Sequence, residues 1–188
     1  MLLHRPVAGF AAGKWALPGT FLHEGERLKE AALRAVATKT GVSGRAPHQL
    51  RVFDDPTRDE RGRVLSVAHV DLVPERRLPL REDTTLAAVG ADMALELPGR
   101  QRRLPYDHDR IVRHAVRWVR ARYRAAVDPD HLLPDEFTLY ELRRVHEAVA
   151  GEPLQKDTFR RRFEDQLEET GQVSSGSVGR PARVYRRR

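Results

Sequence analysis

Apolar positions along this chain fall now at helical spacing and now at strand spacing. Residues 1–22 form an apolar, glycine-punctuated start that reaches a turn at Pro18-Gly19. Leu28, Ala31, Ala32, Ala35 and Val36 then recur at helical spacing, which predicts an amphipathic helix over residues 26–40 with Gly41 as its C-terminal cap. Residues 50–53 suit a short strand, and DDPTRDERGR (54–63) carries the turn signals of a polar loop. VLSVAHVDLV (64–73) is the clearest strand pattern. Its two faces, one with Val64, Ala68 and Val70 and the other with Leu65, Val67 and Val73, are both largely apolar, which predicts a strand internal to a sheet. A second helix begins near Asp107, with Ile111, Ala115, Trp118, Val119 and Arg122 on one stripe. Acids stand at its start and Arg120, Arg122 and Arg124 at its end, as the helix dipole favours.

The pattern changes after residue 126. VDPDHLLPDE (127–136) is proline-rich and acidic and reads as a linker or docking segment. Thr138 followed by Glu141 is a capping box, and Leu139, Leu142, Val145, His146 and Val149 form a stripe that closes at Gly151. Asp157 suits the cap of a further helix over TFRRRFEDQLEE, which puts Phe159, Phe163 and Leu167 on one face and stops at Gly171. GQVSSGSVGRPARVYRRR then supplies two short β-prone pieces. Helix, turn, helix and hairpin within about 50 residues is a winged-helix pattern. The expected layout is an α/β domain over residues 1–126, a linker over 127–136 and a winged helix over 137–188.

Composition narrows the partners. The chain of 188 residues has no cysteine, so disulfides and thiolate metal sites are excluded. No apolar run approaches the roughly 20 residues that span a bilayer, so a cytoplasmic, nucleoid-associated protein with no membrane partner is expected. The net charge of +7 favours a polyanion, nucleic acid before membrane. Nearly all the basic residues are arginine, a bias that genome composition alone also produces, so their placement carries more weight than their number.

That placement is informative near the C-terminus. Lys156, Thr158, Arg160, Arg161 and Arg162 cluster at the start of the helix that would read a major groove. Arg180 and Arg183 flank Pro181 in the wing, followed by Arg186, Arg187 and Arg188, and no acid occurs after Glu169. This end would track phosphates, and Gly179-Arg180-Pro181 at a hairpin tip would reach a minor groove. The bland reading is a solvated basic tail.

Other motifs fail. Gly9-x3-Gly13-Lys14-Trp15 is too short for a phosphate-binding P-loop and lacks its Ser/Thr. The eight histidines show no metal-ligand spacing, with His108 and His114 suited to capping or surface roles. Ser174, Ser175 and Ser177 have no histidine-acid partner nearby in sequence.

GKWALPGTFLHEGERLKEAALRAVATKTGV (13–42) resembles a Nudix box, written G-x5-E-x7-R-E-U-x-E-E-x-G-U with U a bulky aliphatic residue. Glu26, Arg34, Val36, Gly41 and Val42 fix the register. The first glycine becomes Thr20, and the three helix glutamates become Ala35, Thr38 and Lys39. Carboxylates on that helix edge gather Mg²⁺ against a diphosphate. Here the edge has none, and Lys39 sets a positive charge where a dication would sit. Arg5, Arg34 and Lys39 are candidate phosphate partners, Trp15 a candidate base-stacking group, and Glu26 a remaining acid of the site. The bland alternative has Trp15 filling the core and Arg34 paired with Glu26.

Together with the C-terminal module, the chain resembles the Nudix-related transcriptional regulators, which join a Nudix-like effector domain, often catalytically dead, to a winged helix. The resemblance implies a Nudix-like α/β/α sandwich with a mixed sheet. The strand that usually precedes the segment matching LLHRP is expected to be missing here. It also implies a dimer on an operator in double-stranded DNA, no required cofactor and no catalytic or metal-binding residues. The implied activity is transcriptional repression relieved by a nucleotide-type effector such as ADP-ribose, with NAD or sugar metabolism genes as targets. Effector binding would change the spacing of the two winged helices and release DNA. Two rivals stay open: a Mg²⁺-dependent Nudix hydrolase of a nucleoside diphosphate derivative with relocated acids, and a DNA-binding protein whose first domain only dimerises.

Overall fold

The computed structural model describes residues 1–43, 46–79, 81–174 and 181–188. The chain divides into two compact units, Met1–Val116 and Arg117–Arg188, with the division inside one long helix. Among the described residues no helix is long and apolar enough to cross a membrane.

In the first unit, β1 (Leu2–His4) pairs antiparallel with β4 (Thr84–Leu86), β2 (His48–Phe53) with β3 (Ser66–Val70), and β5 (Ala88–Val89) with β6 (Leu95–Glu96). Two helices accompany them, α1 (Leu28–Thr40) and α2 (His108–Ala125), the latter continuing into the second unit. Pairing is divided into these three ribbons, so β3 is not the internal strand that its apolar faces predict: among the described residues it pairs with β2 alone. A helix side chain covers that apolarity instead. Ala68 of β3 and Phe53 of β2 form one buried cluster with Ile111 of α2. A second cluster joins Leu3, Ala87, Leu104 and Val112, with Trp15 and Leu17 packed against it. The polar loop between β2 and β3 is tied to the start of α2 by a fork, Arg58 Nη2 to Asp107 Oδ1 at 2.6 Å and Nε to Oδ2 at 3.2 Å.

α1 starts two residues later than the sequence pattern predicts. Arg27 is its N-terminal boundary and its amide donates to Glu30 Oε2 at 2.9 Å. Gly41 ends it in the left-handed conformation (φ 75°), donating to Ala37 O at 2.9 Å, and Pro79 Cγ lies 3.1 Å from where a Cβ would stand. Ala31, Ala35 and Thr40 are its buried residues.

In the second unit, β7 (Glu136–Thr138), α3 (Leu139–Ala150), α4 (Lys156–Phe163), β8 (Leu167–Val173) and β9 (Arg183–Arg187) follow in order, and the sheet runs β7-β9-β8. The capping box forms: Glu141 N donates to Thr138 Oγ1 at 3.2 Å and Thr138 N to Glu141 Oε2 at 2.7 Å. Gly151 caps the far end in the left-handed conformation. α4 departs from the sequence pattern in three ways. Its N-cap is Gln155, whose Oε1 accepts from Thr158 N at 2.6 Å, not Asp157. It stops at Phe163, and after a 3-10 turn Leu167 opens β8. Gly171 ends no helix; it lies inside β8 at φ 77°, where the pairing with β9 shifts register. Phe159, Phe163 and Leu167 are nonetheless all buried in one core with Val127, Phe137 and Leu142. The spacing reported burial correctly, but Leu167 reaches that core from a strand.

Residues 127–136 pack onto this unit through Val127, Leu133 and Asp128. Asp128 is fully buried and held at φ 38°. Its carboxylate accepts from Leu132 N and Leu133 N at 2.9 Å each and from Arg187 Nη2 at 2.7 Å. His146 lies between Tyr123, Phe159 and Phe163 at ring separations of 5.1, 5.1 and 4.9 Å. Burial, opposed by the nearby Asp128 charge, lowers its pKa to about 4. The folded value lies below the ordinary histidine value of 6.5, so the unfolded chain binds the proton more readily. This contribution to stability is therefore complete above pH 6.5 and is lost as pH falls from 6.5 toward 4. The melting temperature is expected to drop across that window, and His146→Phe should flatten the drop. An equally steep pH dependence in the variant, read by circular dichroism, would assign the loss elsewhere.

Candidate functional site

The turn WALPGTFLHEGE and α1 are held together by the side chain of Arg34. Its Nε and Nη2 donate to Glu26 Oε1 and Oε2 at 2.7 Å each, Nη1 to Thr20 Oγ1 at 3.1 Å, and Nη2 to Phe21 O at 2.9 Å. Glu26 Oε2 also accepts from His23 N at 3.0 Å. The Arg34 hydrogen bonds, with the His23 amide second, hold the Glu26 carboxyl down at about 2. Thr20, which replaces a glycine of the box, is thus a partner in the clasp.

The helix edge itself carries no ligand for a metal ion. Ala35 is buried and has no donor atom. Thr38 Oγ1 donates back into the helix, to Arg34 O at 2.7 Å. Lys39 Nζ donates to Gly19 O in the turn, and burial, then the charge of Arg34, lower its pKa. These residues do not fit Mg²⁺, whose ligands are oxygen atoms with carboxylates foremost. Among the described residues no group of three histidines or acids is arranged to hold a metal ion.

The named site residues fall into two groups. Glu26, Arg34 and Lys39 come together at the turn, with Glu26 and Arg34 spent largely on each other. Arg5 stacks its guanidinium over Trp15, 4.9 Å from the ring centre. Trp15 is half-buried against the Leu3 cluster, its backbone bracketed by Gln101: its amide donates to Gln101 Oε1 and its carbonyl accepts from Gln101 Nε2, both at 2.8 Å. Trp15 therefore serves the core on one side while Arg5 occupies a ring face. His4 adjoins Arg5 and lies close enough to Lys39 to feel its charge. It bridges to Ala16 through paired backbone bonds, lies 3.5 Å from Asp83 Oδ2, and its pKa is lowered first by burial and then, against Asp83, by the charge of Lys39.

Sequence reasoning missed several residues here. His108 is no surface residue: its Nδ1 accepts from Leu17 N at 3.2 Å, and burial, reinforced by the charges of Arg58 and Lys39 against that of Asp107, lowers its pKa to about 4. Its ring meets Tyr106 at 5.3 Å, and Tyr106 meets Phe10 at 5.8 Å. His114 likewise packs edge-on against Phe53 at 5.5 Å. Tyr106 and His108 lie two residues apart, but Phe10 comes from a distant segment, so no spacing in the sequence joins all three.

In the second unit Lys156, Thr158, Arg160, Arg161 and Arg162 are all exposed on α4, while Phe159 and Phe163 anchor its other side. Arg160 lies 3.6 Å from Glu164, but Lys156, Arg161 and Arg162 have no acidic partner among the described residues. The wing differs from the sequence reading. Arg183 pairs with Glu169 at 3.0 Å, Arg186 with Glu168 at 2.7 Å, and Arg187 with buried Asp128. Arg188 donates to Asp165 O at 3.1 Å. The positive tail is thus tied internally by acids that precede it in sequence. Arg180 and the hairpin tip with Gly179, together with Ser175 and Ser177, lie outside the described residues. Ser174 closes the base of the hairpin, its Oγ accepting from Ala182 N at 3.1 Å.

Fold and site together define a Nudix-type domain, stripped of its metal ligands, followed by a winged helix. Comparison with known proteins agrees. Residues 1–114 match the NUDIX domain and residues 129–187 match the NrtR DNA-binding winged helix domain. An ADPR-responsive transcriptional repressor of Acinetobacter baylyi is 31% identical over 178 residues, spanning 92% of this chain and 69% of that protein. The crystal structure of Shewanella oneidensis NrtR complexed with a 27mer DNA superposes with a TM-score of 0.77 at 30% identity, over 100% of this chain and 85% of that one. An ADP-ribose pyrophosphatase of Methanocaldococcus jannaschii is 33% identical over 106 residues, 56% of this chain and 59% of that protein. The chain belongs to the NrtR family of Nudix-related transcriptional regulators.

The clasp gives a direct expectation. Arg34→Ala should free Glu26, returning its carboxyl toward the ordinary range, and should speed amide exchange across residues 18–26. Arg34→Lys should not rescue it, because an ammonium cannot span both carboxylate oxygens and Phe21 O. Unchanged exchange in Arg34→Ala would show that Lys39 and the backbone hold the turn alone.

Proposed function

We propose that this chain is a cytoplasmic transcriptional repressor that binds operator DNA as a homodimer through its winged helix and senses ADP-ribose through its Nudix-type domain. Its targets are genes of NAD or sugar metabolism. The layout proposed is an effector domain over residues 1–126, a connecting segment over 127–136 and a DNA-binding domain over 137–188. The observation that carries the reading is the helix edge at Ala35, Thr38 and Lys39, where a cation replaces the acids that hydrolysis needs. A diphosphate drawn to Lys39 meets positive charge without a metal to activate water. Arg5 and Trp15, stacked on each other, are the proposed partners for a second phosphate or a base, and Glu26 acts by fixing Arg34. On the DNA side, Lys156, Thr158, Arg161 and Arg162 face the groove, with Arg160, Arg180 and Arg183 on the backbone.

The likeness to an archaeal ADP-ribose pyrophosphatase favours one second reading, residual hydrolysis. Incubation with ADP-ribose and Mg²⁺ separates the two. The sensor reading expects binding by calorimetry, release of operator DNA and no AMP. AMP release abolished by Glu26→Gln would establish the hydrolase.

The DNA claim has its own contrast. Arg161→Ala should weaken operator binding and lower the salt slope by about one. Arg183→Ala should do less, because Glu169 already neutralises that guanidinium. Equal losses in the two variants, measured by fluorescence anisotropy at several salt concentrations, would reverse the assignment of α4 as the main contact.

A further inference from the structure

The first unit holds a cavity of about 320 Å³ away from the turn and α1, lined by Arg102, Arg103 and Arg113 over an apolar floor of Met93, Leu95 and Val112. That volume is in the range of small-molecule sites. The three guanidinium groups face a single carboxylate, Asp109, one of whose oxygens already accepts from Leu104 N at 3.3 Å. Among the described residues none of the three arginines has an acidic partner within 4 Å. This sets them apart from the forked arginines elsewhere in the chain, Arg34, Arg58, Arg61 and Arg186.

The floor is also built against local preference. Met93 is held in the left-handed region at φ 67°, which an unbranched non-glycine residue adopts at a cost. The turn around it is over-determined. Met93 N donates to Gly90 O at 2.9 Å, Gly90 N to Ala94 O at 2.9 Å, and Ala94 N to Asp92 Oδ1 at 3.0 Å. This turn directs an apolar side chain into a ring of positive charge.

We propose that this cavity is a second anion site, which takes a phosphate monoester with a small apolar or planar body. Planar guanidinium forks match phosphate oxygens in pairs. The excess of two positive charges over the one carboxylate matches a phosphate dianion. Met93, Leu95 and Val112 give the organic part a surface to cover. The site is separate from the turn at Lys39 and does not rest on the sensing of ADP-ribose there.

The test uses the full chain carrying Lys39→Ala, to remove the other candidate anion site, and phenyl phosphate as probe, with inorganic phosphate beside it. Calorimetry should find phenyl phosphate bound, and more tightly than inorganic phosphate because of the floor. The added pair Arg103→Ala and Arg113→Ala should weaken it by about tenfold or more, with an unchanged circular dichroism melt. In a Lys39 background the same arginine pair should leave ADP-ribose affinity as it is in the parent chain. Absence of phenyl phosphate binding, binding indifferent to the arginine pair, or a joint loss of ADP-ribose affinity would each overturn a separate site.

Discussion

The fork between Arg34 and Glu26 decides how the turn stands over α1 in the first unit. An exposed ion pair contributes little by itself, yet this one is bidentate and gathers two further oxygen atoms, from Thr20 and Phe21, onto the same guanidinium. Four contacts from one rigid planar group fix both the height and the tilt of the turn over α1. Lys39 adds a fifth tie through Gly19 O. The turn is therefore organised by cations of the helix acting on oxygens of the loop. In a metal-dependent box the order would be reversed, with helix carboxylates gathering a cation between helix and ligand.

The second unit shows the same economy of arginine with a different result. Arg187 is sunk against Asp128, which also gathers the amides of Leu132 and Leu133, so the last strand and the segment after α2 are fastened at one buried charge. Removing either partner leaves an uncompensated charge in a dry place, which typically costs 3–5 kcal/mol. The strands of the wing spend Arg183 and Arg186 on Glu169 and Glu168. On α4, by contrast, Lys156, Arg161 and Arg162 have no acidic partner among the described residues. The basic excess of the sequence is thus sorted by structure. Some arginines hold the fold, and others are left without an acidic partner.

Much of this was legible in the chain itself, for identifiable reasons. The capping box at Thr138 and the glycine caps at Gly41 and Gly151 are local chemistry, so their residues announce them. The register of Glu26, Arg34 and Gly41 is enough to show the loss of carboxylates. What stayed hidden is non-local. Leu167 continued a helical spacing and yet reached the core from a strand, because burial at i, i+4 and i+8 does not specify the backbone that delivers it. Arg183 and Arg186 looked free because their acids lie earlier in sequence and meet them only across the β8–β9 pairing. Phe10 reaches Tyr106 and His108 from a distant segment, and β3 turned its apolar face to α2 rather than to another strand.

For the proposed anion contact at Lys39, its charge state would matter more than its position. Its amine is half-buried beside Arg34, with His4 and His108 close enough to feel its charge, and burial already disfavours that charge. A phosphate oxygen arriving there would offset the desolvation and displace a bond to a neutral carbonyl with a charge-assisted one, which is shorter and roughly twice as strong. Gly19 O would then be released, and with it one of the ties on the turn. Arg34 would still hold Thr20, Phe21 and Glu26. Binding at such a site loosens one tie while keeping the others, so a diphosphate would change the turn without dismantling it. A metal cluster at the same edge would instead hold its ligand in place for attack by water. With Lys39 in place of a carboxylate, the proposed site would exchange that chemistry for a contact whose strength depends on whether the anion is present, which is the property that a sensor requires.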